Sequence, residues 1–320
     1  MTSSREVSLF LVLVLLCAII STQSDSFLTF KNISEMLKNN AVTMLMALGM
    51  LCVLLIGGID ISIASTASFA GMTMAVLKKY SIVENTFVLL MIALVIGAIC
   101  GLIVGLIVAK GKVLPIIATL GTMYIYRGGA YLIANDQWTS AADLGAFSNF
   151  ALNTIGGISQ VVWVVAGIYV IFYIVMRWTK FGRRIYAVGS NKEAAEVSGI
   201  HVDNVVISVY TIMGLLSGLG GGLSVSVYAS GMPNMMYGDE MDVIAACVIG
   251  GVSMDGGRGT VVGAFLGALI LAVISKALPL VGIDSIAQNT VKGAIILIVV
   301  VLNLVAQRSM IQNNLKRREL

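Results

Sequence analysis

Residues 86–109, TFVLLMIALVIGAICGLIVGLIVA, run for 24 positions without a charged side chain. Wound as an α-helix, such a run is about 36 Å long, more than the ~30 Å hydrocarbon core of a bilayer. Comparable apolar runs recur at 7–22, 41–57, 61–78, 113–134, 160–178, 205–228, 260–278 and 287–306. Only 11% of the residues are charged and 58% are hydrophobic, whereas a soluble domain carries about a quarter charged residues. The runs are continuous, without the alternation over roughly ten residues that a membrane barrel needs. The chain therefore reads as all-α, a polytopic helical membrane protein.

Its basic residues orient it. With the N-terminus inside, Arg5, Lys110, Lys112, Arg177, Lys180, Arg183, Arg184, Lys192, Arg258, Arg308, Lys316, Arg317 and Arg318 fall on the cytoplasmic side, the dense clusters at 177–192 and 308–318 among them. A tenth run, MDVIAACVIGG at 241–251, is short enough to be re-entrant. If it did not cross, the basic tail NNLKRREL would lie outside, against the positive-inside rule. The expectation is about ten transmembrane helices, the eighth short or partly unwound, with both termini cytoplasmic and residues 1–320 forming one transmembrane domain. The net charge of +4 is an orientation signal of this kind and implies no nucleic-acid partner. The stretch STQSDSF after the first run lacks a small-residue cleavage site, so 7–22 reads as an uncleaved span. Residues 27–38, FLTFKNISEMLK, read as a short interfacial helix between the first two spans. The loop 135–159, without Lys or Arg, faces outward as a docking or vestibule surface.

The chain offers little for catalysis. Cys17, Cys52, Cys100 and Cys247 each sit in an apolar run with no CxxC spacing and read as small core residues. No nucleophile–base set or metal-ligand cluster emerges, and no G-x-x-x-x-G-K-[ST] cradle for nucleotide phosphate occurs. The expectation is a non-enzyme with no cofactor or metal of its own. A transporter driven by an ion gradient would want acids buried within its spans; away from turns only Asp242 qualifies.

The longest polar interruption is the cytoplasmic loop at about 179–204, TKFGRRIYAVGSNKEAAEVSGIHVDN. NKEAAEVSGI is short, polar and rich in helix formers, and Gly199 stands where a helix stop would. This is either an ordinary solvated loop helix or a lever that receives force from a soluble motor. His201 reads as a solvated loop residue.

EAAEVSG matches the EAA-x-x-x-G signature of ATP-binding-cassette importer membrane subunits. The wider GRRIYAVGSNKEAAEVSGI resembles the ribose-type sugar permeases, a branch of the branched-chain amino acid/ribose permease superfamily that includes autoinducer-2 permeases. GGIDISIAS, VIGGVSMDGGRGTVVGAFLGALIL, AKGKVLPIIATLGTMYIYRG and QNTVKGAIILIVVV resemble further segments of that family in the same order, from about residue 27 to 306. Ala64 stands where the family commonly has glycine, and the I-x-L-P ending of the EAA motif is absent. The resemblance implies a permease subunit in the bacterial cytoplasmic (inner) membrane, forming the translocation path for a ribose-like monosaccharide. It also implies an ATPase subunit that binds ATP and Mg, an extracytoplasmic substrate-binding protein, and a second permease copy or a related permease. Glu193, Ala194, Ala195 and Gly199, with Gly182 and Arg183 before them, would then couple to the ATPase, and Arg183 and Arg184 could pair with acidic groups or lipid headgroups. Another small polar solute, such as autoinducer-2, a nucleoside or a branched-chain amino acid, is the alternative cargo.

Asp60 lies between Gly57–Gly58 and a hydroxyl-rich stretch in LIGGIDISIASTASFAGM. One reading has it cap the following helix, accepting from N–H groups near Ser62 and Ile63. The other places Asp60, Ser62, Ser65 and Thr66 on the translocation path, with Arg127 further along, since an ionisable group at membrane depth is a functional candidate. For Arg127, snorkelling to the outer interface stands against a role in the path or at a subunit contact. IGGVSMDGGRGT at 249–260 echoes IGGID, and both would be cytoplasmic turns. Gly-containing runs such as GAICGLIVG and GLLSGLGGG space small residues for close helix packing in lipid.

Overall fold

The computed structural model describes residues 2–24, 26–135, 137–280 and, past these, 282–284, 287, 288, 290–294, 297, 298 and 301. The long helices follow the apolar runs: α1 (Thr2–Ser21), α2 (Phe30–Leu55), α3 (Ile63–Lys79), α4 (Thr86–Ala109) and α5 (Pro115–Ala134). A short α6 (Ala141–Leu144), a 3-10 turn (Gly145–Phe150) and a hairpin of β1 (Thr154–Ile155) with β2 (Ile158–Ser159) fill the loop before α7 (Gln160–Trp178). Then come α8 (Lys180–Ser190), α9 (Lys192–Val197), α10 (Val202–Val227), α11 (Asp239–Ile249) and α12 (Val261–Leu280). Side chains start several of them. Asn85 accepts from Phe87 N–H at 2.9 Å to open α4, and Ser140 and Asp143 form a reciprocal capping box on α6.

Among the described residues five helices, α2, α4, α7, α10 and α12, are long and apolar enough to cross a membrane. At 11 residues α11 is about 16 Å long, roughly half the hydrocarbon thickness. The expected separate interfacial helix at 27–38 does not form. Thr29 caps α2, which runs on without interruption to Leu55, because residues 31–40 hold no Gly or Pro to break it and Met36 packs inward. The last expected span, 287–306, is helical at its described positions through 301, while the basic cluster at 308–318 lies outside the described residues.

The core forms around α10, which packs on α4, α3 and α2. Gly97 and Gly101 of α4 face Gly214 and Gly218 of α10 so closely that an added β-carbon at any of them would strike the opposing backbone. Lipid supplies no hydrophobic drive between helices, so close backbone approach is what holds such pairs. Gly71 of α3 makes the same kind of contact with Gly221.

Helix ends that the charge pattern assigns to one side meet in space. Lys110 and Lys112, after α4, reach Asp203 at the start of α10 at 3.0 and 2.8 Å, and Glu6 of α1 accepts from Thr260 at 2.7 Å just before α12. At the opposite end, Thr139 bridges to Gly231 and Ser226 binds Phe147 and Ala151.

Candidate functional site

The loop at 179–204 is two helices. Thr179 caps α8, accepting from Gly182 N–H at 3.3 Å, and Asn191 caps α9, accepting from Ala194 N–H at 2.9 Å. α9 ends where Gly199 takes a φ of +79°. Gly199 N–H then donates to Glu196 and Ile200 N–H to Ala195, the bond pattern of a left-handed stop. Glu193, Ala194, Glu196 and Val197 face solvent, whereas Ala195 is only 3% exposed and anchors α9 to the body. Of the two alanines in the motif, Ala194 alone is presented outward.

α8, which the sequence pattern leaves as part of the loop, carries Ile185 and Val188 on its buried face and Arg183 and Arg184 on the other. Gly182 packs on the backbone of Met176, and Gly189 packs directly on the carbonyl oxygen of Leu55. That oxygen also accepts from Gly257 N–H at 2.8 Å, while Tyr186 hydroxyl donates to Gly259 carbonyl at 2.8 Å. α8 is thus clamped to the end of α2 and to the 253–260 turn.

The Asp60 turn starts at the same place. Gly57, at φ +72°, ends α2 against Asp255, so the two glycine-paired turns that echo each other in sequence touch. Asp60 is 2% exposed, and its Oδ1 accepts from Ser62 N–H at 2.9 Å and from Ser62 hydroxyl at 2.6 Å. The carboxylate therefore holds the turn that delivers the chain into α3. Its partner Ser62 is itself the N-cap position of α3, so Asp60 stands two residues ahead of the cap. Tyr210 of α10 closes the turn from the side, donating to Ile59 carbonyl at 3.3 Å. Ser62, Ser65 and Thr66 are all buried at the start of α3.

Arg127 belongs to another assembly. Its guanidinium donates to the carbonyls of Pro233 and Met235 at 2.9 and 2.8 Å and lies 5.8 Å from the ring centre of Tyr237. Ser68 of α3 donates to the same Pro233 carbonyl at 2.6 Å. The segment 231–238 between α10 and α11 is thereby tied to both α3 and α5. Asp242 on α11 pairs with Lys292 at 2.9 Å.

A family model described as branched-chain amino acid transport system / permease component matches residues 32–300. The chain belongs to this permease family. Among its relatives, the ribose import permease protein RbsC of Escherichia coli K12 is 37% identical over 298 residues, 92% of each chain. RbsC of Bacillus subtilis is 38% identical over 300 residues, 92% of this chain and 91% of that one. The L-arabinose transport system permease protein AraH of Escherichia coli K12 is 34% identical over 94% of this chain and 90% of its own. No solved structure matches the chain.

For a multi-pass membrane permease, two features went unread in the sequence. Val197 is 91% exposed, an aliphatic side chain projecting from the polar tip of α9; its one signal is an isolated apolar residue between Glu196 and Ser198. The partners of Arg127 are main-chain carbonyls, which leave no residue-type signature. The residues expected along a path thus divide between the Asp60–Thr66 turn and Arg127 with its carbonyls.

Proposed function

We propose that this permease is the membrane-spanning subunit of an ATP-binding-cassette importer and passes a ribose-like monosaccharide, driven by a separate ATPase. The observation that carries the reading is the mechanical connection from α9 through α8 to Leu55 and the Asp60 turn. A motor pressing on Glu193, Ala194 and Val197 would move α8. Because Gly189 and Gly257 both bear on Leu55, that movement reaches the α2–α3 turn and the 253–260 turn together. The ribose import and L-arabinose transport permeases among the relatives support a sugar as cargo. The family model's own description keeps a branched-chain amino acid or another small polar solute as the second reading.

The same reading sets the topology at ten crossings in the cytoplasmic (inner) membrane, with α9 and both termini inside. The meeting of Lys110 and Lys112 with Asp203, on the side that carries Arg183 and Arg184, supports it. An extracytoplasmic binding protein would then deliver solute to the face that carries 137–159 and 231–238. Asp60 and Ser62 serve the turn, while Ser65, Thr66 and Arg127 are the proposed wall of the path, sealed in this conformation and uncovered when α3 and α5 part. A second copy or a related permease would complete that path. ATP and Mg belong to the ATPase. Uptake of labelled ribose into vesicles holding permease, ATPase and binding protein tests the reading: uptake needs all three and ATP, and uptake by the permease alone on an ion gradient refutes it.

A further inference from the structure

We propose that the crevice between α2, α7 and α12 is a binding site for one anionic phospholipid of the leaflet on the α8–α9 side, its phosphate held by Arg177 and Arg183. Two cavities adjoin there and share Tyr173, Val261 and Val262. The first, of about 380 Å³, is walled by aliphatic and aromatic side chains, with Tyr169 and Phe265 edge-to-face at 5.1 Å. The second, of about 400 Å³, carries Arg177 and Arg183.

The dimensions suit a lipid. From Val162 to Tyr173 the apolar stretch follows α7 over eleven steps, about 16 Å at 1.5 Å per residue. Half of a ~30 Å hydrocarbon core is about 15 Å, so a single acyl chain would run the length of the crevice. One turn beyond Tyr173, the guanidinium of Arg177 lies 5.6 Å from that ring's centre and donates to its hydroxyl, which fixes the cation where the apolar wall ends. Arg183, on the first turn of α8, brings a second cation to the same cavity and donates to Trp178 carbonyl at 3.4 Å. Glu6, the acid in this cavity, is engaged by Thr260, whose hydroxyl donates to it at 2.7 Å. An apolar slot ending at two arginines matches a phosphodiester with a long tail. A soluble anion would have no use for the slot, and a neutral tail no use for the arginines. Only the leaflet depends on the transport reading above. Lipid retention is measured on the permease alone, so its failure and a failure of ATPase coupling are separate results.

The experiment is native mass spectrometry of the full-length permease with phosphatidylglycerol or phosphatidylcholine. Size-exclusion profiles would show that the variants Arg177→Gln/Arg183→Gln and Ala166→Trp are folded. Ala166 is an exposed residue of the apolar wall, and tryptophan there plugs the slot while leaving both arginines. The expected result is one phosphatidylglycerol retained per wild-type chain, with retention about tenfold weaker or worse in each variant and phosphatidylcholine retained poorly throughout. If the double arginine variant does not fold, Ala166→Trp alone decides. Equal retention of the two lipids, or retention indifferent to the variants, overturns the proposal. So does displacement of the lipid by excess inorganic phosphate. Capture of residues 302–320 or of a second copy by a photo-crosslinker at position 166 also overturns it.

Discussion

Gly189 of α8 rests on the carbonyl oxygen of Leu55 with no room for a β-carbon between them. A residue in the proposed coupling arm thereby bears on the last turn of α2. Gly189→Ala should force the two elements apart and cost about 1–3 kcal/mol, the usual penalty of overpacking a tight contact. Thermal unfolding in detergent would read the loss, and ATPase stimulation by the permease should fall with it. Gly121→Ala is the control: a β-carbon there meets nothing within 4 Å, and stability should hold or rise by up to about 1 kcal/mol, the usual gain of alanine over glycine inside a helix.

Gly199 needs its left-handed backbone and nothing else, since a β-carbon there also meets nothing within 4 Å. Gly199→Val should insert normally yet lose transport and stimulated ATP hydrolysis. A β-branched residue at φ +79° costs at least the roughly 1–2 kcal/mol of an ordinary left-handed residue. Gly199→Asn, which tolerates that region, should keep most of the activity. Equal loss in both would show that steric access to a partner matters at this position, and backbone geometry does not.

Asp60→Asn retains an Oδ1 that can accept from Ser62, whereas Asp60→Ala leaves a buried N–H without its partner. Such a loss costs about 1–3 kcal/mol. Asn should preserve folded yield and most uptake, and Ala should lower the yield. Normal yield with abolished uptake in the Ala variant would return Asp60 to the wall of the path.

Arg127→Ala removes two hydrogen bonds that hold the 231–238 segment and should impair uptake with little loss of insertion. Arg127→Lys, which keeps the charge without the planar fork, should recover part of the uptake. Proteolysis of the outward face would read the loosening directly: cleavage within 231–238 should rise in Ala, then in Lys.

Asp203 joins both Lys110 and Lys112. Asp203→Asn should weaken ATPase stimulation modestly and make it insensitive to salt. In the wild type, about 1 M salt, with a screening length of about 3 Å, should reproduce the same loss.

The spans were legible because a bilayer demands long continuous apolar runs, and α4 and α7 begin and end at the expected residues. That the glycines of α4 and α10 serve close helix packing was legible too, since glycines spaced along an apolar helix have few other uses; that the two helices pair with each other was not, because the spacing names no partner. The extension of α2 back to Phe30 was not. Lys31, Glu35, Lys38, Asn39 and Asn40 make that stretch look interfacial, and the inward packing of Met36 is a tertiary fact. α8 was hidden for a related reason. Its decisive contacts are made by Gly182 and Gly189 through main-chain atoms, so no side-chain pattern announces them. The EAA stretch was readable as a short helix, but which of its residues faces outward depends on how Ala195 docks.

In the proposed importer, α9 is the surface on which an ATPase acts from the cytoplasmic side. Val197→Cys, in a background with Cys17 replaced and Cys52, Cys100 and Cys247 buried, provides an exposed thiol at the tip of α9. A membrane-impermeant maleimide should label it in inside-out vesicles and fail to label it in intact cells, and bound ATPase should protect it. Labelling in intact cells, or labelling unaffected by the ATPase, would contradict the account.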